Sequence, residues 1–393
     1  MRKILITSVL VCLALVSLSA QNKWTATWAT AVERPFSASD MPQTSLSNNS
    51  LRQIIHVSIG GKKLRLQLSN EMSEKPVEIK SVYIADAGKG EAIDASTATY
   101  LTFNGSRSVT IEPGKAVYTD VAAYKLKPLQ CLSVTIHYGQ TPPKATTHRG
   151  SRTTSFLMEG ESKPKAAFAA VEKFEHWYNI AALEVEAPAS TRCVACLGNS
   201  ITDGRGTTTD MQNRWTDVMA ETLGGKVAVI NLGIGGNCVV SGGISAPACE
   251  RFNRDILSQQ GVTDVIIFQG VNDIGGIKDD GVQRTRMLTK FYRLFAKKCR
   301  EKGIRVYGGT ITPFKNSSYY STVHEQVRQT VNQWIRTSEY YDGCIDFDKA
   351  TSDPKDKEAL REEWQADWLH PNAAGYKVMG EFAAKAFLEF QKK

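Results

Sequence analysis

The chain has 393 residues, 42% of them apolar and 22% charged, with 30 glycines and 13 prolines; these proportions exclude disordered, collagen-like and coiled-coil classes. Lys and Arg number 48 against 40 Asp and Glu, a formal net charge of +8. The excess is scattered. Its two clusters, Lys62-Lys63-Leu64-Arg65 and Lys297-Lys298-Cys299-Arg300, have no interleaved aromatics, so no nucleic-acid partner is indicated.

The first element in chain order is a processing signal. Met1, Arg2 and Lys3 precede an apolar run over 4–18, and Ser19-Ala20 stand ahead of Gln21. A basic start, a short apolar run and small residues before a polar flank read as a signal peptide over 1–20, not a spanning helix. The mature chain is therefore expected to be secreted or periplasmic, with no integral membrane segment. Loss of Cys12 with the signal turns eight cysteines into seven, an odd number. Cys193 and Cys196 stand three apart in an apolar strand, face opposite ways and read as small core residues. Cys238 and Cys249 flank a Gly-rich loop and are the expected disulfide.

Residues 21–190 read as a β-sandwich domain, jelly-roll-like, without a helical period. Alternating runs at 54–59 and 64–68 around Gly60-Gly61 predict a hairpin. Further strand-sized runs lie at 77–85, 100–103, 108–111, 131–138 and 177–185, with Asn104-Gly105 and Pro113-Gly114 as turns. Thr141-Pro142-Pro143 opens a stretch expected to be irregular up to position 165 or so. Trp24, Trp28 and Trp177 suit a core or a sugar platform equally.

From 191 the rhythm changes. Short apolar runs at 193–197, 227–231, 264–268, 305–310 and 344–347 alternate with helical spacings. Trp215, Val218, Met219 and Leu223 mark one helix, Val323, Val327, Val331 and Ile335 another, and Met379, Phe382, Ala383 and Phe387 the last. The pattern predicts a three-layer α/β/α sandwich over 191–393 around a five-stranded parallel sheet. Chemistry in such a fold belongs beyond the carboxyl ends of the strands.

Those ends carry distinctive residues. The first runs into Gly198-Asn199-Ser200-Ile201-Thr202-Asp203, where the serine suits a nucleophile and also a helix N-cap. The second meets Gly233-Ile234-Gly235-Gly236-Asn237, and the third Gly270-Val271-Asn272-Asp273. Before the last helix stands Asp367-Trp368-Leu369-His370, a carboxylate spaced to bond Nδ1 of the histidine and leave Nε2 free. Each block alone is a weak signal; the four in this order are a specific one. Together they resemble the SGNH hydrolases, or GDSL esterase family, from 191 to about residue 390. The front half resembles, more loosely, the β-domain of secreted bacterial members. Asn199 stands where the family motif has Asp.

The resemblance implies a flavodoxin-like fold and a carboxylic ester hydrolase that needs no cofactor. Acyl transfer would use Ser200 as nucleophile, His370 as its base and Asp367 to fix the imidazole tautomer. The oxyanion hole would be the Ser200 and Gly236 N–H groups and the Asn272 amide, with Gly236 preferred over Gly235 on the resemblance alone. Asp273 is expected to hold its loop. His148 and Asn70 would border the cleft by the same resemblance, whereas His56, His137 and His176 read as structural or surface groups. Thr202 breaks any Gly-x-Ser-x-Gly elbow, and Arg328 spoils a zinc-protease reading of His324-Glu325, so no metal is expected.

The loops at 202–213, 272–281 and 312–321 are mostly Gly, Thr, Asp, Asn and Ser, with Ile274, Ile277 and Phe314 as isolated apolar residues. Short O-acyl esters on a carbohydrate, acetyl above all, are the expected substrates. The alternatives are a lipase or lysophospholipase, and a glycan-binding protein with an inactive esterase-like domain. The front half would bind polysaccharide or brace the catalytic half.

Overall fold

A computed structural model describes residues 21–392; the expected signal peptide, with Cys12, lies outside the described residues. Strands Cys193–Gly198, Ala228–Gly233, Asp264–Phe268, Arg305–Gly309 and Gly343–Ile345 form one parallel sheet in the spatial order second, first, third, fourth, fifth. The first and third strands are buried at every position, which is why they read as unbroken apolar runs. Helix Trp215–Thr222 packs with Ala373–Phe390 on one face, and Val282–Arg300 with Thr322–Thr337 on the other. The strand order reverses between the first and third strands, and a crevice opens at their carboxyl ends.

Two antiparallel sheets make up the front half. One joins Asn22–Ala29, Ile180–Pro188, Gly61–Ser69 and Ala116–Tyr118, with Ala122–Leu126 beside Gly61–Ser69. The other runs Glu172–Phe174, Ser155–Met158, Ser50–His56, Cys131–Tyr138, Val77–Asp86 and Thr99–Leu101, with Val109–Ile111 beside Val77–Asp86. The expected hairpin around Gly60-Gly61 is not formed, because Ser50–His56 and Gly61–Ser69 lie in different sheets. Neither glycine takes the left-handed φ that a two-residue hairpin turn requires. They serve close packing instead: a β-carbon would lie 2.5 Å from the Leu126 carbonyl oxygen at Gly60, and 2.8 Å from Val185 Cβ at Gly61. The stretch expected to be irregular after Pro143 contains the short strands Thr147–His148 and Ser155–Met158. Strand Asn22–Ala29 has no clean alternation, since its second half is buried on both sides.

The expected Cys238–Cys249 disulfide is also absent, and all seven cysteines among the described residues are free. The loop between them is closed by backbone bonds, Ala248 N–H to Cys238 O (2.8 Å) and Cys249 N–H to Val239 O (3.1 Å). The Cys249 thiol turns to the Val240 carbonyl at 3.3 Å. Trp28 and Trp177 meet edge to face at 5.0 Å inside the core and offer no platform. Among the described residues no helix is long and apolar enough to cross a membrane.

The halves share one continuous apolar core. Polar bonds lock the seam: Ala26 N–H to Gln260 O (3.0 Å), Val229 N–H to Ser58 Oγ (3.1 Å), and His56 Nδ1 to Asp217 Oδ1 (3.0 Å). Burial disfavours the His56 cation, but the Asp217 bond and charge outweigh it and raise its pKa. Burial likewise opposes the Asp217 anion, yet Arg214 and His56 hold its pKa low. Removing one partner of a buried pair strands the other, so Asp217→Ala should cost about 3–5 kcal/mol in urea unfolding at pH 6. The His56 share is complete below the ordinary histidine pKa and fades as pH rises through the raised one. The deficit of the variant should therefore narrow toward alkaline pH; a deficit independent of pH would exclude His56 as the titrating partner.

Candidate active site

Ser200 opens the short helix Ser200–Asp203 directly after the first parallel strand. The cap is Asn199, whose Oδ1 accepts the Ile201 N–H at 3.0 Å, so the Ser200 hydroxyl is free of that duty. Asparagine caps a helix as well as aspartate does, which accommodates the departure from the family motif. A β-carbon at Gly198 would lie 1.9 Å from Thr202 Oγ1; glycine lets the helix fold back on the strand end.

Ser200 Oγ lies 2.8 Å from His370 Nε2, and His370 Nδ1 lies 2.9 and 3.0 Å from the two oxygens of Asp367. Asp367 Oδ1 also accepts the backbone N–H groups of His370 (2.8 Å) and Leu369 (3.2 Å), and Trp368 takes φ +63° between them. The turn thus carries the carboxylate round to the Nδ1 edge of the ring. Nδ1 donates to Asp367, which leaves Nε2 as the acceptor for the serine hydroxyl. Burial depresses the His370 pKa; Asp367 pulls it up, Arg205 and Arg152 push it down, and the net shift is downward. Burial works against the Asp367 anion, but its bonds to His370 hold that pKa below the usual carboxylate range.

Across the crevice, Gly236 takes φ +68° after the second strand. Asn272 begins the turn after the third; its Nδ2 donates to Asn237 O at 2.8 Å and its Oδ1 accepts the Tyr319 hydroxyl at 3.1 Å. An amide nitrogen has two hydrogens, so one remains for a ligand. Asp273 holds the loop, accepting the N–H groups of Val239 (2.7 Å) and Val240 (3.0 Å), and burial pushes its pKa up to about 6.

Ser200, His370, Asp367, Gly236 and Asn272 line one cavity of about 420 Å³. Its other walls include Glu33, Arg149 and Arg152 from the front half, with Asp203, Arg205, Ile244, Tyr319 and Leu369 from the catalytic half. Asn70 is not on this wall; it is buried elsewhere, donating to Lys75 O and Ile111 O. His148 sits one layer behind, its Nε2 2.9 Å from Asp203 Oδ1. Ile274 and Phe314 belong to the core, and the apolar lining comes from Ile244 and Leu369 instead. Sequence reasoning missed Glu33, Arg149, Arg152, Arg205, Tyr319 and the buried Arg251 behind the loop; of these, Arg205 and Tyr319 fall in the polar loops at 202–213 and 312–321, and Arg149 and Arg152 in the stretch expected to be irregular.

Residues 196–378 match the family model of the GDSL-like lipase/acylhydrolases. This region is a GDSL-like acylhydrolase domain. The protein is accordingly a carboxylic ester hydrolase. Structural similarity extends to a carbohydrate esterase family 2 enzyme plus carbohydrate-binding domain from Corynascus thermopiles, 15% identical, covering 95% of this chain and 100% of that one at a TM-score of 0.41. A carbohydrate acetylesterase from Sinorhizobium meliloti is 14% identical over 51% of this chain and 99% of its own, at a TM-score of 0.41. A GDSL-like lipase from Bacteroides thetaiotaomicron is 17% identical over 50% of this chain and 88% of its own, at a TM-score of 0.38. A search of the curated proteins gives no match. Among the described residues of the esterase, no three His, Cys, Asp or Glu side chains are grouped to hold a metal ion.

The electrostatics of His370 can be read by NMR. Its imidazole should titrate below the ordinary value of about 6.5. Arg205→Gln removes a nearby positive charge and should move the midpoint upward. A midpoint above 6.5, or one that Arg205→Gln leaves in place, contradicts the balance of burial and charge described here.

Proposed function

We propose that the protein is a secreted serine esterase that removes short acyl groups, acetyl above all, from carbohydrate hydroxyls. The observation that carries this reading is the hydrogen-bonded line Ser200–His370–Asp367 in a cavity whose wall also includes Glu33, Arg149, Arg152, Asp203, Arg205 and Asn272.

In this mechanism Ser200 Oγ attacks the ester carbonyl carbon while its proton passes to His370 Nε2. Asp367 keeps the productive tautomer and stabilises the imidazolium. The carbonyl oxygen becomes an oxyanion, received by the N–H groups of Ser200 and Gly236 and the spare N–H of Asn272. His370 then protonates the leaving sugar hydroxyl as the carbon–oxygen bond breaks. Water repeats the sequence on the acyl-serine and releases the carboxylic acid.

The walls argue for a small acyl group. A long chain must bury many methylenes, each contributing about 0.8 kcal/mol on leaving water. Ile244 and Leu369 are enough to cover a methyl group, whereas Arg, Asp, Asn, Ser and Tyr side chains suit ring hydroxyls. The basic and apolar start of the chain supports export to where acylated polysaccharides are met.

A fluorophosphonate should add mass to the peptide containing Ser200, and Ser200→Ala should abolish the labelling. Labelling that persists in the variant removes Ser200 as nucleophile. In a series of p-nitrophenyl esters, kcat/KM should be highest for acetate or propionate and fall with chain length, and acetate should be released from acetylated oligosaccharides. A steady rise from acetate to decanoate would favour a lipase.

A further inference from the structure

We propose that Arg152 and Arg205 form an anion-recognising pair at the mouth of the cavity, and that the carbohydrate substrate carries a carboxylate, as a uronic acid does. The ester in that substrate rests on the esterase reading; recognition of the carboxylate does not.

The charged groups of the cavity fall into pairs that leave these two cations over. Arg149 Nη2 lies 2.7 Å from Glu33 Oε2, and the Arg149 backbone N–H donates to the same carboxylate at 3.0 Å. Asp203 is held by His148 at 2.9 Å. Asp367 is occupied by the His370 ring and two backbone N–H groups. Arg152 and Arg205 engage these acids only weakly: Arg152 Nη2 makes one long hydrogen bond to Asp203 Oδ2 at 3.4 Å, and Arg205 Nε stands 3.8 Å from Asp367 Oδ2, an ion pair beyond hydrogen-bond distance. Arg152 Nε is buried with no partner. A guanidinium has five donors, so both side chains hold most of theirs in reserve.

Arg152 is also held under strain. Its backbone has φ +50°, a left-handed conformation that is costly for a non-glycine residue and that clusters at ligand clamps. The catalytic half braces it there: Asp210 N–H donates to Arg152 O (3.1 Å), the Asp210 carboxylate accepts the Thr154 N–H (2.6 Å), and Arg214 donates to Ser151 O. On the opposite strap, the Tyr376 hydroxyl bonds Arg205 O at 2.6 Å. Two elements from different halves thus contribute an arginine each to the cavity that holds Ser200. Both nitrogens of His148 face acceptors, Ala31 O and Asp203 Oδ1 at 2.9 Å each, so the ring donates from both and pairs with Asp203; the remaining balance is two arginines against Asp367. A single negative charge complements it, and the planar fork of arginine matches a carboxylate.

The test is calorimetric titration, at low ionic strength, of the full mature chain carrying Ser200→Ala so that no ester is turned over, with three probes: unacetylated trigalacturonic acid, its methyl ester, and glycerol phosphate. Charge-assisted hydrogen bonds contribute roughly 1.5–3 kcal/mol, so the free acid should bind at least about ten-fold more tightly than the methyl ester. Salt should erode that advantage. Arg152→Gln should abolish it and Arg152→Lys should restore part, as a point charge without the fork. If Arg152→Gln does not fold, Arg205→Gln on its exposed side chain carries the same test. Equal affinity for acid and methyl ester, a preference that survives Arg205→Gln, or tighter binding of glycerol phosphate than of the uronate overturns the proposal. Binding needs no turnover, so failure of the esterase reading appears separately, as an unlabelled Ser200.

Discussion

One buried guanidinium holds the site together. Arg251 is 2% exposed, and it donates to Gly198 O (2.9 Å), Leu232 O (2.9 Å), Asn237 Oδ1 (3.0 Å) and Asp255 Oδ2 (2.8 Å). The first two acceptors are at the ends of the first and second parallel strands, where carbonyls run out of strand partners and burial without a bond would cost free energy. Asn237 in turn accepts from Gln269 at 3.1 Å and, through its own carbonyl, fixes the Asn272 amide. The chain of bonds therefore reaches from the strand before Ser200 to the amide that faces it. Asp255 keeps the cation paired in a dry interior, the condition under which such a charge is tolerated.

The front half is part of the site as well as its brace. Thr147–His148 places His148 against Asp203, three residues beyond Ser200 on the same helical turn, and the His148 Nδ1–H is anchored on Ala31 O at 2.9 Å. Burial works against the cation on His148, but Asp203 raises its pKa; burial works against the Asp203 anion, but His148 and Arg152 lower its pKa. An ion pair of this kind, sealed between the halves, fixes the serine helix relative to the wall that carries Arg149 and Arg152. Rigid support is what positions reacting groups to within fractions of an ångström. A shared apolar core makes independent motion of the two halves costly.

What could be read from the chain follows the range of the physics involved. The parallel strands and their helices announced themselves through local periodicity, and Cys131–Tyr138 agrees with its expected bounds to the residue. Ser200, Asn272, Asp367 and His370 stand at strand ends or turns that the strand-loop-helix rhythm marks, and it is the four blocks in order, with their resemblance to the SGNH hydrolases, that singled them out. Gly60-Gly61 misled for the opposite reason: a pair of glycines signals a turn or a close approach alike, and only the neighbours Leu126 and Val185 decide which. Cys238 and Cys249 misled likewise, since proximity in sequence says nothing about where a thiol points.

The sequence by itself determined the class of the two halves, the order of the parallel strands along the chain and the residues at their ends, because helical and strand periods are written in neighbouring side chains. Only the tertiary structure decided which strands pair across the front half, that Arg251 ties the strand ends, and that Glu33, Arg149 and Arg152 line one cavity with Ser200. Those contacts include pairs as distant in sequence as Gly198 and Arg251, 53 positions apart, and Asn22 and Pro188, 188 − 22 = 166 apart. Their partners are selected by shape, charge and burial once the chain has collapsed, and no local pattern carries that information.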